Sequence, residues 1–199
     1  MQNKGLLRIE GRVELIVTHL YESPELPFYP YHNLAHTQSV VKHVREIGAH
    51  YQLGPAEMST LLIAAWFHDV GHLYGQMKGH EEWSVAIMEH YLSDIDPGWM
   101  ADISRYILAT RFPNHPIDLP EQIICDADTY HLGTPLFRQT DPLVHQEMEL
   151  RKGVTLGDWS RKTLELLRRH IFFTDYCKVL LEQGKAENIA WVEAAIVGP

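Results

Sequence analysis

The chain has 199 residues, 45% of them hydrophobic and 22% charged, with a formal net charge of −9 at pH 7. That length and apolar content suit one domain with a sizeable core, and the acidic balance excludes broad electrostatic binding to nucleic acid, which needs a basic face. Only Cys125 and Cys177 carry thiols, which excludes a disulfide framework and a cysteine-rich zinc site, and no apolar run approaches the ~20 residues that span a membrane.

In chain order the pattern reads helix after helix. Met1–Arg8 holds no long uncharged run resembling a signal peptide, so a cytoplasmic protein is expected. Residues 6–21 carry apolar positions at helical spacing, and Pro24, Pro27 and Pro30 then mark a connector. A second helix is predicted from about Asn33 to Tyr51, with Val40, Val41, Val44, Ile47 and Tyr51 as its buried stripe. Gly54-Pro55 opens a third, with proline at the first helical position and Glu57 in the first turn. Its inward stripe is Met58, Leu61, Leu62 and Ala65, and steps of three and four continue that stripe to His68, Asp69 and His72. Gly71, Gly75 and Gly79 mark a loop before a helix near Glu81–Leu92, Asp96-Pro97-Gly98 a turn, and 99–110 another helix. Arg111–Pro120, with three prolines, should be irregular. Helices then fit 121–132, 141–151, 157–171 and 174–195, the last with a break expected at Gly184. No segment alternates between hairpin turns, and neither a repeat nor a linker stands out. The expected architecture is an all-α, single-domain helical bundle over 1–199, with its motifs in 31–132 and the C-terminal helices 135–199 in the same domain.

Thirteen histidines against two cysteines point to imidazole and carboxylate metal chemistry. His68-Asp69 follows the apolar run Leu61–Phe67, and a carboxylate at the end of such a run is costly to bury without a cation or hydrogen-bonded partner. His32 and His36 would share a face if their turn were helical. His36, His68, Asp69 and one further Asp would balance a divalent ion and leave positions open for water and substrate. For that Asp, helical spacing groups Asp128 with Ile124, Cys125 and Leu132 on a mostly apolar, inward face. Asp126, about 200° away, lies off that face with a capping or orienting role.

These residues resemble the His…His-Asp…Asp pattern of the HD superfamily of metal-dependent phosphohydrolases over roughly residues 30–190. His80-Glu81-Glu82-Trp83-Ser84, Ala109-Thr110 before His115, and Asp126-Ala127-Asp128 before Leu132-Gly133 look like a group of bacterial HD proteins described as predicted metal-dependent phosphohydrolases. The resemblance implies an all-α fold holding a divalent ion, with Mn, Fe, Ni, Co and Mg all suited to the donor set. It implies hydrolysis by metal-activated water of a small phosphorylated metabolite or nucleotide. A nucleic acid polymer or a membrane is not the expected partner, and the pattern admits a homodimer.

Such chemistry needs a proton donor and cations for phosphate charge. Donor candidates are His72, one helical turn beyond His68 if the helix continues through Gly71; His80; His115; and Glu81-Glu82. His32 joins them because related phosphodiesterases place a donor at the matching position. Arg111 and Lys78 are the phosphate-facing cations expected from their loops. A second ion would use Asp69 as a bridge with His80 and His115. The alternatives are an HD-type di-iron oxygenase and a non-catalytic HD module that binds a ligand.

Overall fold

A computed structural model describes the backbone of residues 2–75 and 77–197, and side chains from Ile9 onward apart from Gln76. The reading of the Met1–Arg8 side chains lies outside the described residues. The described residues contain helices and no strand, in agreement with the all-α expectation. The helices are α1 (Gln2–Glu22), α2 (Leu34–His50), α3 (Pro55–Phe67), α4 (His80–Tyr91), α5 (Pro97–Ala109), α6 (Leu119–Asp128), α7 (Phe137–Lys152), α8 (Trp159–Arg169) and α9 (Asp175–Val197). Short 3-10 turns cover Val70–Leu73 and Tyr130–Gly133. No helix among the described residues is long and apolar enough to cross a membrane.

Where the composition shows no linker, the backbone forms two compact units: Met1–Phe28 with His32–Asp128, and Tyr29–Tyr31 with Thr129–Pro199. In the first unit, α3 is the central element and touches α1, α2, α4, α5 and α6. Its sequence is apolar on every side, and Ser59–Phe67 is buried without interruption. The single inward stripe expected for this helix is therefore a whole buried circumference, as an all-round apolar helix requires. Val13 and Val17 of α1, Val44 and Ile47 of α2 and Ile103 and Ile107 of α5 complete the core around it.

In the second unit, Leu132, Phe137, Leu167 and Val192 form the core, with Leu164, Ile189 and Ile196 packed against it. Here α9 runs unbroken through Gly184. A Cβ at Gly184 would lie 2.0 Å from the Gly133 carbonyl oxygen, so this glycine is a point of close backbone approach rather than a helix stop. Likewise α7 begins at Phe137, four residues before the predicted start at 141, and keeps Pro142 in its interior. Proline there forfeits one backbone hydrogen bond, and the helix tolerates that loss within its first turns. The helix predicted over 121–132 starts at Leu119 and ends at Asp128, with the Tyr130–Gly133 turn separate from it.

Candidate metal centre

Three local devices place the polar side chains of the first unit. Asn33 caps α2, its side-chain oxygen accepting from Ala35 N at 2.9 Å and His36 N at 3.2 Å. This sets His36 in the first turn and leaves His32 before the helix, so the two do not share a helical face as conceived; their rings nonetheless meet edge-on with centroids 5.9 Å apart. At the far end of α3, His68 is the last, capping residue, and Asp69 turns the chain into the 3-10 segment Val70–Leu73. His72 therefore belongs to a tighter turn, not to a continuation of α3.

The third device is Ser84 of α4, whose hydroxyl donates to His68 O at 2.7 Å and accepts from Gly71 N at 2.8 Å. It supplies partners for backbone groups that the helix break leaves over. Ser84→Ala is expected to cost about 1–3 kcal/mol, because the Gly71 N–H would stay buried and unsatisfied. Urea denaturation of the metal-free variant measures this, and an unchanged midpoint would mean that the break holds without Ser84.

The four residues chosen as ligands converge. Asp69 Oδ2 lies 3.2 Å from both His36 Nε2 and His68 Nε2, and Asp128 Oδ1 lies 3.1 Å from His36 Nε2 and 3.5 Å from His68 Nε2. One donor atom from each falls within 4.8 Å of all the others. Around an ion bound at about 2.1 Å, neighbouring donors stand roughly 3.0–3.4 Å apart, which matches the observed separations. His68 is fully buried, and its Nδ1 donates to Ala65 O at 2.8 Å. A carbonyl only accepts, so Nδ1 carries hydrogen and Nε2 is the atom turned toward two carboxylates. That Nε2 has no hydrogen-bond partner among the described residues. Such an arrangement calls for a positive charge in the middle, and the backbone-anchored imidazole is a device that orients metal ligands.

The electrostatics agree. Burial pushes His68 down, but Asp69 and Asp128 outweigh it and hold the imidazole well above its ordinary range. His36 is raised in the same way, against its own burial, by Asp128 and Asp69. Burial would raise Asp69, yet His68, His36 and His80 bring it well below the usual carboxylate range, and Asp128 is depressed by His36 and His68 against the same penalty. In the metal-free chain these histidines contribute stability that is complete below ~6.5 and fades as pH rises through their raised values. The depressed carboxylates contribute above ~3.9 and lose it as pH falls through their own values. Metal-free protein should thus be most stable between ~4 and ~6.5, whereas bound divalent metal, which needs neutral imidazoles, protects the alkaline side. Melting temperatures with Mn2+ and with EDTA are expected to diverge more at pH 8 than at pH 5.5. Equal differences at the two values would contradict this.

The other oxygen of Asp69 faces a second group. Its Oδ1 is 3.4 Å from His80 Nε2 and 3.8 Å from His72 Nε2. His72 is buried between two rings, with His80 stacked at 3.8 Å and His32 at 4.2 Å between centroids. His80 Nδ1 donates to Met77 O at 2.9 Å, repeating the anchor seen at His68. Donor atoms of His32, Asp69 and His72 also lie close enough to share an ion. This group differs from the expected second set of Asp69 with His80 and His115, of which His80 faces Asp69 Oδ1. His115 is exposed and enters neither donor group. Asn114 Nδ2 donates to Thr110 O at 2.9 Å and Ala109 O at 3.2 Å, folding its segment over the end of α5 while the His115 side chain stays at the surface.

Arg111 is paired with Glu82 and, at 3.6 Å from Nε, with Glu81. Glu81 is buried and its Oε1 lies 3.7 Å from His80 Nε2, so Asp69, His80, Glu81 and Arg111 form one chain of alternating acidic and basic side chains. Lys78 is exposed. Asp126, expected off the inward face, is fully buried, because α6 packs on α2, α3 and α5 and Ile123–Ala127 are all enclosed. The Ala65 and Met77 carbonyls carry no signature in the sequence, since any residue supplies a carbonyl.

A family model described as HD domain matches residues 33–133, just over half of the chain. The match stops at Gly133, short of the 30–190 span anticipated, so α7, α8 and α9 lie outside it. No curated protein and no solved structure matches the chain.

Proposed function

Because the chain belongs to the HD domain family, we propose that it is a metal-dependent phosphohydrolase acting on a small phosphorylated metabolite or nucleotide, as a phosphomonoester or a phosphodiester. One observation carries this reading: two carboxylates and two imidazoles converge, with His68 tied through Nδ1 so that Nε2 faces both carboxylates. His36, His68, Asp69 and Asp128 would hold the ion. A divalent cation bound there supplies acidified water and charge neutralisation for a phosphoryl oxygen.

The chain's own residues do the remaining work. Asp69 and Asp128 hold the site at a net charge that a divalent cation cancels. Ser84 and the Ala65 carbonyl fix His68 and the turn after it, so the donors need no rearrangement on binding. In the stack of His32, His72 and His80, Nδ1 of His80 is committed to Met77, which leaves Nε2 as its atom for proton exchange with a leaving oxygen. Arg111, half exposed beside Glu81 and Glu82, is the cation nearest in the network to take up phosphate charge by exchanging a carboxylate for it.

The di-iron oxygenase remains the second reading, favoured by the two oxygens of Asp69 facing two separate donor groups. A screen of phosphomonoesters, phosphodiesters and nucleotides with Mn, Fe, Ni, Co and Mg, and with Asp128→Ala as control, tests the proposal. Metal-dependent phosphate release lost in the variant is the expected result. Two irons per chain with oxygen-dependent turnover and no phosphate release would overturn it.

A further inference from the structure

The chain passes between the two compact units at only a few bonds, and two of these adjoin the metal cluster. Tyr31 belongs to the second unit and His32 to the first, while Asp128 ends the first unit and Thr129 begins the second. His32 and Asp128 are both members of the donor groups. Whatever fixes Tyr31 and Thr129 therefore fixes the backbone one bond away from two donors.

Within the second unit both points are anchored. Tyr31 N donates to Glu147 Oε2 at 3.1 Å, Glu147 is buried and held by Arg151 Nε at 3.2 Å, and the Arg151 guanidinium covers the Tyr29 ring at 3.8 Å. Thr129 Oγ1 is bonded to His170 Nε2 at 2.9 Å, and Asn188 Nδ2 donates to Leu132 O at 3.0 Å and Thr134 O at 2.9 Å. The two anchors are joined directly. Tyr31 OH lies 3.1 Å from His131 Nδ1, with the rings in tilted contact at 5.4 Å. The apolar core of the second unit is made by Leu132, Phe137, Leu167 and Val192.

We propose that the Tyr31–His131 hydrogen bond is a positioning device for the metal centre: by tying the two crossing points together it sets the spacing of His32 and Asp128. The inference rests on the reading of the cluster as a metal site. A precise ligand set needs a supporting shell, and here part of that support is delivered through the backbone.

The test is Co2+ binding to the EDTA-stripped full chain, followed by calorimetry and by the visible absorption of the bound ion. Tyr31→Phe removes only the hydroxyl and is expected to weaken Co2+ binding roughly three- to tenfold, the range one hydrogen bond can supply, and to alter the absorption band. His131→Leu should cause a similar loss, and the double variant should add little, because both remove one interaction. Asp141→Asn serves as the control. It removes the charge and one acceptor oxygen of a side chain that accepts from Trp159 Nε1 and Thr163 Oγ1 in the same unit, remote in sequence from both crossings, and should leave affinity and spectrum unchanged despite a lower melting temperature. Wild-type affinity and spectrum in Tyr31→Phe, additive losses in the double variant, or an equal loss in Asp141→Asn would each overturn the inference. If the wild-type chain binds no Co2+, the metal reading fails first and the inference goes with it.

Discussion

Asp69→Asn is expected to abolish metal binding and to lower metal-dependent turnover by roughly a thousandfold, the rate equivalent of about 4 kcal/mol. Among the described residues Asp69 alone belongs to both donor groups: its Oδ2 faces His36 and His68, and its Oδ1 faces His72 and also His80. Asparagine keeps the shape but replaces one oxygen by an amide and removes the negative charge, so neither group retains its charge balance. The stability readout separates this from misfolding. In EDTA the variant should still unfold cooperatively, whereas the gain in melting temperature on adding Mn2+ should vanish. A variant that keeps the Mn2+-dependent gain would show that Asp69 is not a ligand.

Gly71→Ala should be the most damaging small substitution in the first unit. A Cβ at this position would stand 1.9 Å from His80 O, 2.8 Å from Ser84 N and 2.9 Å from His80 C. All three are backbone atoms of the first turns of α4, so no side chain can swing aside, and α4 itself must move. Overpacking of this kind costs about 2–3 kcal/mol. The displaced helix carries His80, Glu81 and Ser84, so metal affinity should fall together with stability. Gly157→Ala is the matched control, since nothing lies within 4 Å of a Cβ there, and its effect should stay within about 0.5 kcal/mol. Equal midpoints for the two variants in urea would contradict the close approach at Gly71.

The central donors were legible because several levels of the sequence agree on them. His68 and Asp69 extend an apolar run whose burial is costly for a carboxylate, and the helix predicted from about Asn33 places His36 near its start. Asp128 was reached by helical spacing, and it does join His36 and His68. The accompanying inference about its neighbour fails, however. Periodicity places one face of α6 inward, but α6 is enclosed by three helices, and Asp126 is buried more deeply than Asp128. A pattern of apolar residues cannot tell a helix with one buried face from a helix buried nearly all round when polar residues occupy part of the interior.

His72 and His115 show a different limit. Helical extrapolation carries the α3 stripe to His72, and His72 does reach the second donor group, though through a 3-10 turn held by Ser84 rather than through a continued helix. His115 sits near a motif in sequence, but Asn114 caps the end of α5 and His115 stays outside the cluster. Side-chain direction in such turns depends on hydrogen bonds from distant residues, and local spacing does not encode it. The two compact units were legible only in part. The chain crosses between them at Phe28-Tyr29 and Tyr31-His32, beside the connector marked by Pro24, Pro27 and Pro30, and at Asp128-Thr129, where no run of glycine, serine, proline or charge marks the crossing.

The most direct test of the metal centre is a calorimetric titration of the EDTA-stripped chain with Mn2+, alongside Asp128→Asn. Saturable binding of at least about one ion per chain, lost or severely weakened in the variant, is the predicted result, since two carboxylates and two imidazoles match one divalent charge. The absence of saturable binding in the wild-type chain, for Mn2+ and equally for Fe2+, Ni2+ and Co2+, would contradict it.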